Sequence, residues 1–182
     1  SRSNIMRVSL DKVGGEYQGV IFDFINRLQT GCIRQVFAPD GSMWVGQTGR
    51  GWGSPGGKEF GLQQISWDGK TIPFSMFDLK LTAKGFQITF TKPVDRKLAE
   101  DLNNYNLERW GYHYHPKYGS PKTDLKKEKP TKVKVSKNGL IVNIETTLEV
   151  NRVYRFNLEA IFAKDGSKMS NTRAWYTLNR LK

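Results

Sequence analysis

The sequence predicts an all-β chain with one short helix. Three observations carry this expectation. Apolar residues alternate with period two over many short runs. Turn dipeptides separate those runs at spacings of roughly 8–12 residues, as in sandwiches. A single stretch, "DRKLAEDLNNY" (95–105), places Leu98 and Leu102 four apart, the spacing of a helix of one to three turns. With 37% hydrophobic and 12% aromatic residues, the 182-residue chain has material for a sizeable core and does not read as disordered.

Taken in order, "YQGVIFDFI" (17–25) is an apolar, β-branched strand. "IRQVFAP" (33–39) and "SMWVGQ" (42–47) flank Asp40-Gly41, a local hairpin signal. A long glycine-rich loop follows, then the strand "GLQQISW" (61–67) and a turn at Asp68-Gly69. Near residue 75 the character changes. Phe77, Leu79 and Leu81, then Phe86, Ile88 and Phe90, predict two half-buried strands. "NLERWGYHYH" (106–115) alternates again, and Asn138-Gly139 marks a hairpin within "KVKVSKNGLIVNIE". "VYRFNLEAIFA" and "RAWYTLN" complete a sandwich of about seven strands over 77–182. Because that half has its own alternating strands, it is expected to fold without residues 1–76.

Charge is unevenly spread. Residues 1–76 hold eight Lys/Arg against six Asp/Glu, a net of +2; residues 77–182 hold twenty-one against eleven, a net of +10. Much of the excess lies in 117–137, with eight lysines and two acids. Lys126, Lys127 and Lys129 are its candidate polyanion contacts, although a solvated connection is the favoured reading of such a run. It has no arginine for bidentate readout, and no arginine-rich or RNP-like motif points to nucleic acid. No apolar run approaches the ~18 residues of a membrane-spanning helix. The opening "SRSNIMRVSL" has neither an initiator Met nor an apolar signal core and reads as a mature form or excised fragment. Cys32 is alone, which leaves no internal disulfide and suits a small buried apolar residue.

Two stretches carry resemblance. "GFQITFTKPVDRKLAEDLNNYNL", "VYRFNLEAIFAKDG" and "WYTLN" resemble a bacterial Ig-like domain. Phe90, Thr91, Pro93, Val94 and Asp95 match its early strand, and Leu148, Tyr154 and Leu158 its late one. Such modules are structural or adhesive. "VFAPDGSMWVGQTGRGWG" with "GLQQISWDG" is similar to the closing blade of large secreted sugar dehydrogenase-like β-propeller proteins, a resemblance that extends to "YQGVIFDF" and "YHYHPKYGSP". The resemblance implies a propeller-blade-like or accessory β region over 1–76, an Ig-like β-sandwich over 77–182, and a secreted, periplasmic or cell-surface location. Those propellers bind pyrroloquinoline quinone in a pocket built from several blades. One blade cannot build it, so no cofactor is expected here.

The loop "GQTGRGWGSPGG" (46–57) is not a phosphate cradle. Lys58 is followed by Glu59 rather than Ser/Thr, and no helix pattern follows. Its glycines grant backbone freedom. Trp52 is either tucked onto a sheet or exposed as a platform, with Arg50 as its polar neighbour. In an extended strand, Trp110, Tyr112 and Tyr114 would face one way and His113 and His115 the other. These two histidines are the chain's whole complement, too few for a zinc shell without carboxylates, so no metal is expected. No Gly-x-Ser-x-Gly or paired Cys/His motif marks a nucleophile.

The expectation is therefore a noncatalytic module of a larger secreted protein, serving carbohydrate attachment or domain organisation. Its partners would be a polysaccharide or other domains of the parent, with no nucleic acid and no membrane insertion. Trp44, Arg50, Trp52, Trp110, Tyr112 and Tyr114 are the candidate sugar contacts, because sugar C–H faces pack on aromatic planes while hydroxyls find polar rims. The alternative is a fragment of a quinone-dependent sugar dehydrogenase whose active site lies elsewhere in the parent chain.

Overall fold

Gly14 and Gly15 both take positive φ, 56° and 89°. This is the tight-turn geometry whose twist matches paired strands, and it joins β1 (Ile5–Val13) to β2 (Glu16–Ile25). The structure is a computed structural model that describes residues 3–50 and 53–182. It divides into two compact units. The smaller comprises the chain up to Arg7 together with Asp23–Thr71; the larger comprises Val8–Phe22 and Ile72–Lys182.

The smaller unit holds an antiparallel meander, β3 (Cys32–Phe37), β4 (Met43–Thr48) and β5 (Phe60–Ile65), with β4 in the centre. One face of this sheet supplies Met43 and Val45 to a small core completed by Leu28, with Ile5, Ile25, Cys32 and Ile65 packed against it. Burial raises the Cys32 thiol above its usual value, as expected for a packed apolar residue. Asp40 and Asp68 serve turns: Asp40 accepts from the Ser42 N–H, and Asp68 from the N–H groups of Lys70 and Thr71.

The larger unit is a two-sheet sandwich. One sheet runs β10 (Lys132–Val135), β11 (Ile141–Glu145), β7 (Gly85–Phe90), β6 (Met76–Thr82). The other runs β1, β2, β13 (Arg173–Leu178), β12 (Arg152–Asn157), β8 (Asn106–Gly111), β9 (Thr123–Glu128). Without the leading hairpin, β6 to β13 map onto immunoglobulin strands A, B, C, C′, D, E, F and G, with A-B-E-D facing G-F-C-C′. The all-β class with a single short helix is thus observed, and the Ig-like order follows from the pairing itself. The helix, α1 (Arg96–Glu100), is capped by Asp95, which accepts from the Leu98 N–H at 3.0 Å.

Phe86 of β7 is the hub of the core. Its ring lies 5.1 Å from Tyr154, 5.1 Å from Phe156 and 5.2 Å from Tyr176, all on the opposite sheet. Tyr154 also fixes the turn that enters β12: its hydroxyl donates to the Thr147 carbonyl and accepts from the Glu149 N–H. This is the tyrosine-corner device of immunoglobulin-like sandwiches.

The leading hairpin belongs to this sandwich. β2 pairs with β13, and Val13, Val20 and Phe22 enter its core. Buried Asp11 accepts from the Tyr176 hydroxyl at 2.9 Å and from the Leu81 N–H of β6 at 2.8 Å. Gln18 donates to the same hydroxyl and accepts from the N–H groups of Asn179 and Arg180. One carboxylate therefore links β1, β13 and β6. Burial first, and the Asp11 bond second, push the Tyr176 phenol well above its usual value.

Three expectations change. The unit that contains 77–182 also contains 8–22 and 72–76, because those residues fill its core and extend its sheet. Phe77 does not share a face with Leu79 and Leu81. A bulge between Met76 and Asp78 shifts the register, so Met76 takes the core position and Phe77 is 61% exposed. The lysine-rich 117–137 stretch is not a plain connection; besides β10, the first strand of the expected hairpin, it contains the unanticipated β9.

Candidate functional site

In the smaller unit, pairing register places Val36, Trp44 and Gln64 in one row across the sheet. The next row is Arg34, Gly46 and Leu62, and Thr48 faces Phe60 beyond it. This face is the one opposite Met43 and Val45, since side chains alternate along each strand. It stays open to solvent: Trp44 is 37% exposed, and Val36, Phe60 and Leu62 more so. Gly46 contributes no side chain to the row beside Trp44, where an added Cβ would meet only the Arg34 carbonyl oxygen at 3.9 Å. The polar rim is partly pre-set, for Gln64 donates to the Ser42 hydroxyl, which itself donates to Asp40.

The glycine-rich segment connects β4 to β5, with no helix following it. Its base is closed by main-chain bonds, Gly49 N–H to Glu59 and Thr48 N–H to Gly31. Gly56, at φ +110°, lies so close to Gln29 that an added Cβ would sit 2.2 Å from its carbonyl oxygen. Glycine is required there by contact with a neighbouring backbone as well as by φ. Arg50 is exposed and lines an open cleft with Thr48, Lys58 and Glu59. Trp52 lies outside the described residues.

In the larger unit, Trp110 is 2% exposed and does not offer a stacking face. The Lys122 ammonium sits 3.7 Å above its ring centre, and Tyr112 meets it edge-on. The expected common face of Trp110, Tyr112 and Tyr114 fails because β8 ends at Gly111, and strand alternation ends with it. Tyr112 is half exposed, while Tyr114 and the unanticipated Tyr118 stand fully in solvent. His113 is exposed and its backbone N–H donates to the Ser120 hydroxyl; the Nδ1 of His115 is buried without a partner. Among the described residues no three His, Cys, Asp or Glu side chains gather as a metal site, and no helix is long and apolar enough to cross a membrane.

The lysines of 117–137 are dispersed. Lys126 lies opposite Arg109 and Lys127 opposite Glu108, so the two point to different faces of the sheet. Lys129 follows the end of the strand. The two acids of the run hold it in place instead. Glu128 accepts from Arg109 Nε at 2.5 Å, and Asp124 lies 3.5 Å from Arg152. Glu149 completes this network by pairing with both arginines. Burial raises the Glu149 carboxyl, but Arg109 and Arg152 outweigh it and hold the group below its usual value. Lys126, Lys127 and Lys129 are therefore not one patch.

No family model and no curated protein matches this chain. Two solved structures are similar over part of it. "Structure of surface layer protein SbsC, domains 1-6" aligns with 60% of the chain at 20% identity and a TM-score of 0.44. "Crystal structure of the S-layer protein rSbsC(31-844)" aligns with 59% at 22% identity and the same TM-score, 0.44. The chain spans 14% of the length of each.

Of the candidate sugar contacts, the structure leaves Trp44, Arg50, Tyr112 and Tyr114 accessible and removes Trp110. Sequence reading missed Phe60 and Leu62 as companions of Trp44. Their alternation was visible, but cross-strand register, which sets them on the Trp44 side, is a tertiary property.

Proposed function

We propose that this chain is a noncatalytic module of a larger surface or secreted protein and that it attaches to carbohydrate. The observation that supports this reading most strongly is the open face around Trp44. An exposed indole stands in register between Val36 and Gln64, with Leu62 diagonal to it. A sugar ring presents C–H groups to such a plane and hydroxyls to the side-chain amide and guanidinium beside it, here Gln64 and Arg34. The Ig-like sandwich supplies a rigid body that suits a structural or adhesive role.

Screening on a glycan array followed by titration tests this. Trp44→Ala is expected to weaken binding to the best array ligand by about tenfold or more, worth about 1.4 kcal/mol. Its melting temperature is expected to stay near that of the unaltered chain, because the indole lies on the solvent side of the sheet. Undiminished binding by Trp44→Ala would remove this face from the reading.

A further inference from the structure

We propose that the end of the sandwich around Pro93 binds an anionic group, a phosphate or a carboxylate. This inference rests on the larger unit alone and does not depend on the Trp44 face.

Three separate segments meet at this end. The Pro93 carbonyl accepts from the Lys164 N–H at 2.8 Å, and the Val94 N–H donates to the Gly139 carbonyl at 2.9 Å. One residue on, the Asp95 N–H donates to the Phe162 carbonyl at 2.9 Å. Gly139 takes φ +76° against Pro93, whose Cβ lies 3.0 Å from where a glycine Cβ would be. The β7–α1 connection, the β10–β11 turn and the β12–β13 connection are thus fastened together by main-chain bonds. They surround a concavity of about 400 Å³.

Lys97 from α1, Lys137 from the β10–β11 turn and Lys164 from the β12–β13 connection line it. All three are exposed, and none has a side-chain hydrogen bond or ion pair among the described residues. Their neighbours are already neutralised. Lys92 pairs with Asp165 at 3.1 Å, and Arg96 pairs with Glu100 while also donating to the carbonyls of Val135 and Ser136. The acid on the rim, Asp95, accepts from the Leu98 N–H as the helix cap and offsets one charge. Three lysines carried on main chain fastened at this end, their ammonium groups without internal partners, keep the local potential positive. This arrangement differs from that of Lys126 and Lys127, which diverge along β9, although Lys137 belongs to the same lysine-rich run. A lysine is a point donor without bidentate geometry, so the site selects charge and not a particular planar group.

The test compares two variants of equal net charge. Lys97→Gln/Lys137→Gln/Lys164→Gln and Lys126→Gln/Lys127→Gln/Lys129→Gln each lower +12 by three to +9. Each is titrated with polyphosphate and, separately, with polygalacturonate at several salt concentrations. The first variant is expected to bind at least one probe about tenfold more weakly than the unaltered chain, with a salt slope shallower by about 2–3, near one per lysine lost. The second is expected to stay within about threefold. Loss confined to one probe identifies phosphate or carboxylate as the preferred group. On adding inorganic phosphate to the unaltered chain, backbone amide shifts are expected at Lys97, Gly139 and Lys164. Equal losses in both variants, no loss in the first, or no binding of either probe by the unaltered chain would overturn the proposal. So would phosphate-induced shifts that avoid the Pro93 end.

Discussion

Phe86→Ala is expected to destabilise the larger unit by about 3–5 kcal/mol, the cost of emptying a fully buried aromatic site. The ring touches three aromatic side chains of the opposite sheet, so its loss opens a cavity between two layers that the surrounding strands cannot easily close. Phe77→Ala is the matched control. The two phenylalanines look alike in the alternating sequence, yet Phe77 projects into solvent and its truncation is expected to change stability by less than about 0.5 kcal/mol. Urea unfolding of both variants measures the difference. Similar losses would mean that the bulge before Asp78 is misplaced and that Phe77, not Met76, fills the core.

A fragment comprising residues 77–182 is expected not to fold. It lacks Val13, Val20, Phe22, Phe74 and Met76, all buried in the same core. At roughly 1.5–3 kcal/mol per buried apolar side chain, the loss approaches 10 kcal/mol, comparable to the whole stability of a small domain. It also leaves the Leu81 N–H and the Tyr176 hydroxyl without Asp11, and Gln18 no longer ties down Asn179 and Arg180. Far-ultraviolet circular dichroism and amide dispersion read the outcome. A dispersed, cooperatively melting 77–182 fragment would show that the leading hairpin is an accessory to a self-sufficient sandwich.

The fold was largely legible because most of its strands obey the period-two rule and most turns carry Asp-Gly, Asn-Gly or similar pairs. Leu79 and Leu81, and Phe86, Ile88 and Phe90, fall on the core side as their alternation requires. Where reading failed, a specific physical event intervened. A single extra residue at the bulge turned Phe77 outward. The Gly14-Gly15 hairpin was written in the sequence, but the strand before it presents Met6, Val8 and Leu10 to solvent and buries Asp11, inverting the usual signal. Asp11 is tolerated inside because it accepts two hydrogen bonds there.

The candidate site was legible only in its residue types. Trp44 was readable as an aromatic on a strand, but its exposure depends on which sheet face is covered. Trp110 has the same character in sequence and is covered by Lys122 instead. The basic surface shows the same limit. Lysines adjacent in sequence diverge along β9, whereas Lys97, Lys137 and Lys164 line one concavity from segments 27 to 40 residues apart, as their numbering shows. Strand alternation accounts for the first fact, and sandwich topology alone produces the second.

Carbohydrate is proposed to contact the open Trp44 face. The most direct measurement is a nuclear magnetic resonance titration of the unaltered chain with the best array oligosaccharide, following the indole N–H signals assigned by single Trp→Phe replacements. The Trp44 signal is expected to shift in proportion to saturation while the buried Trp110 signal stays fixed. A titration that saturates without moving Trp44, or that moves Trp110 instead, would contradict the claim.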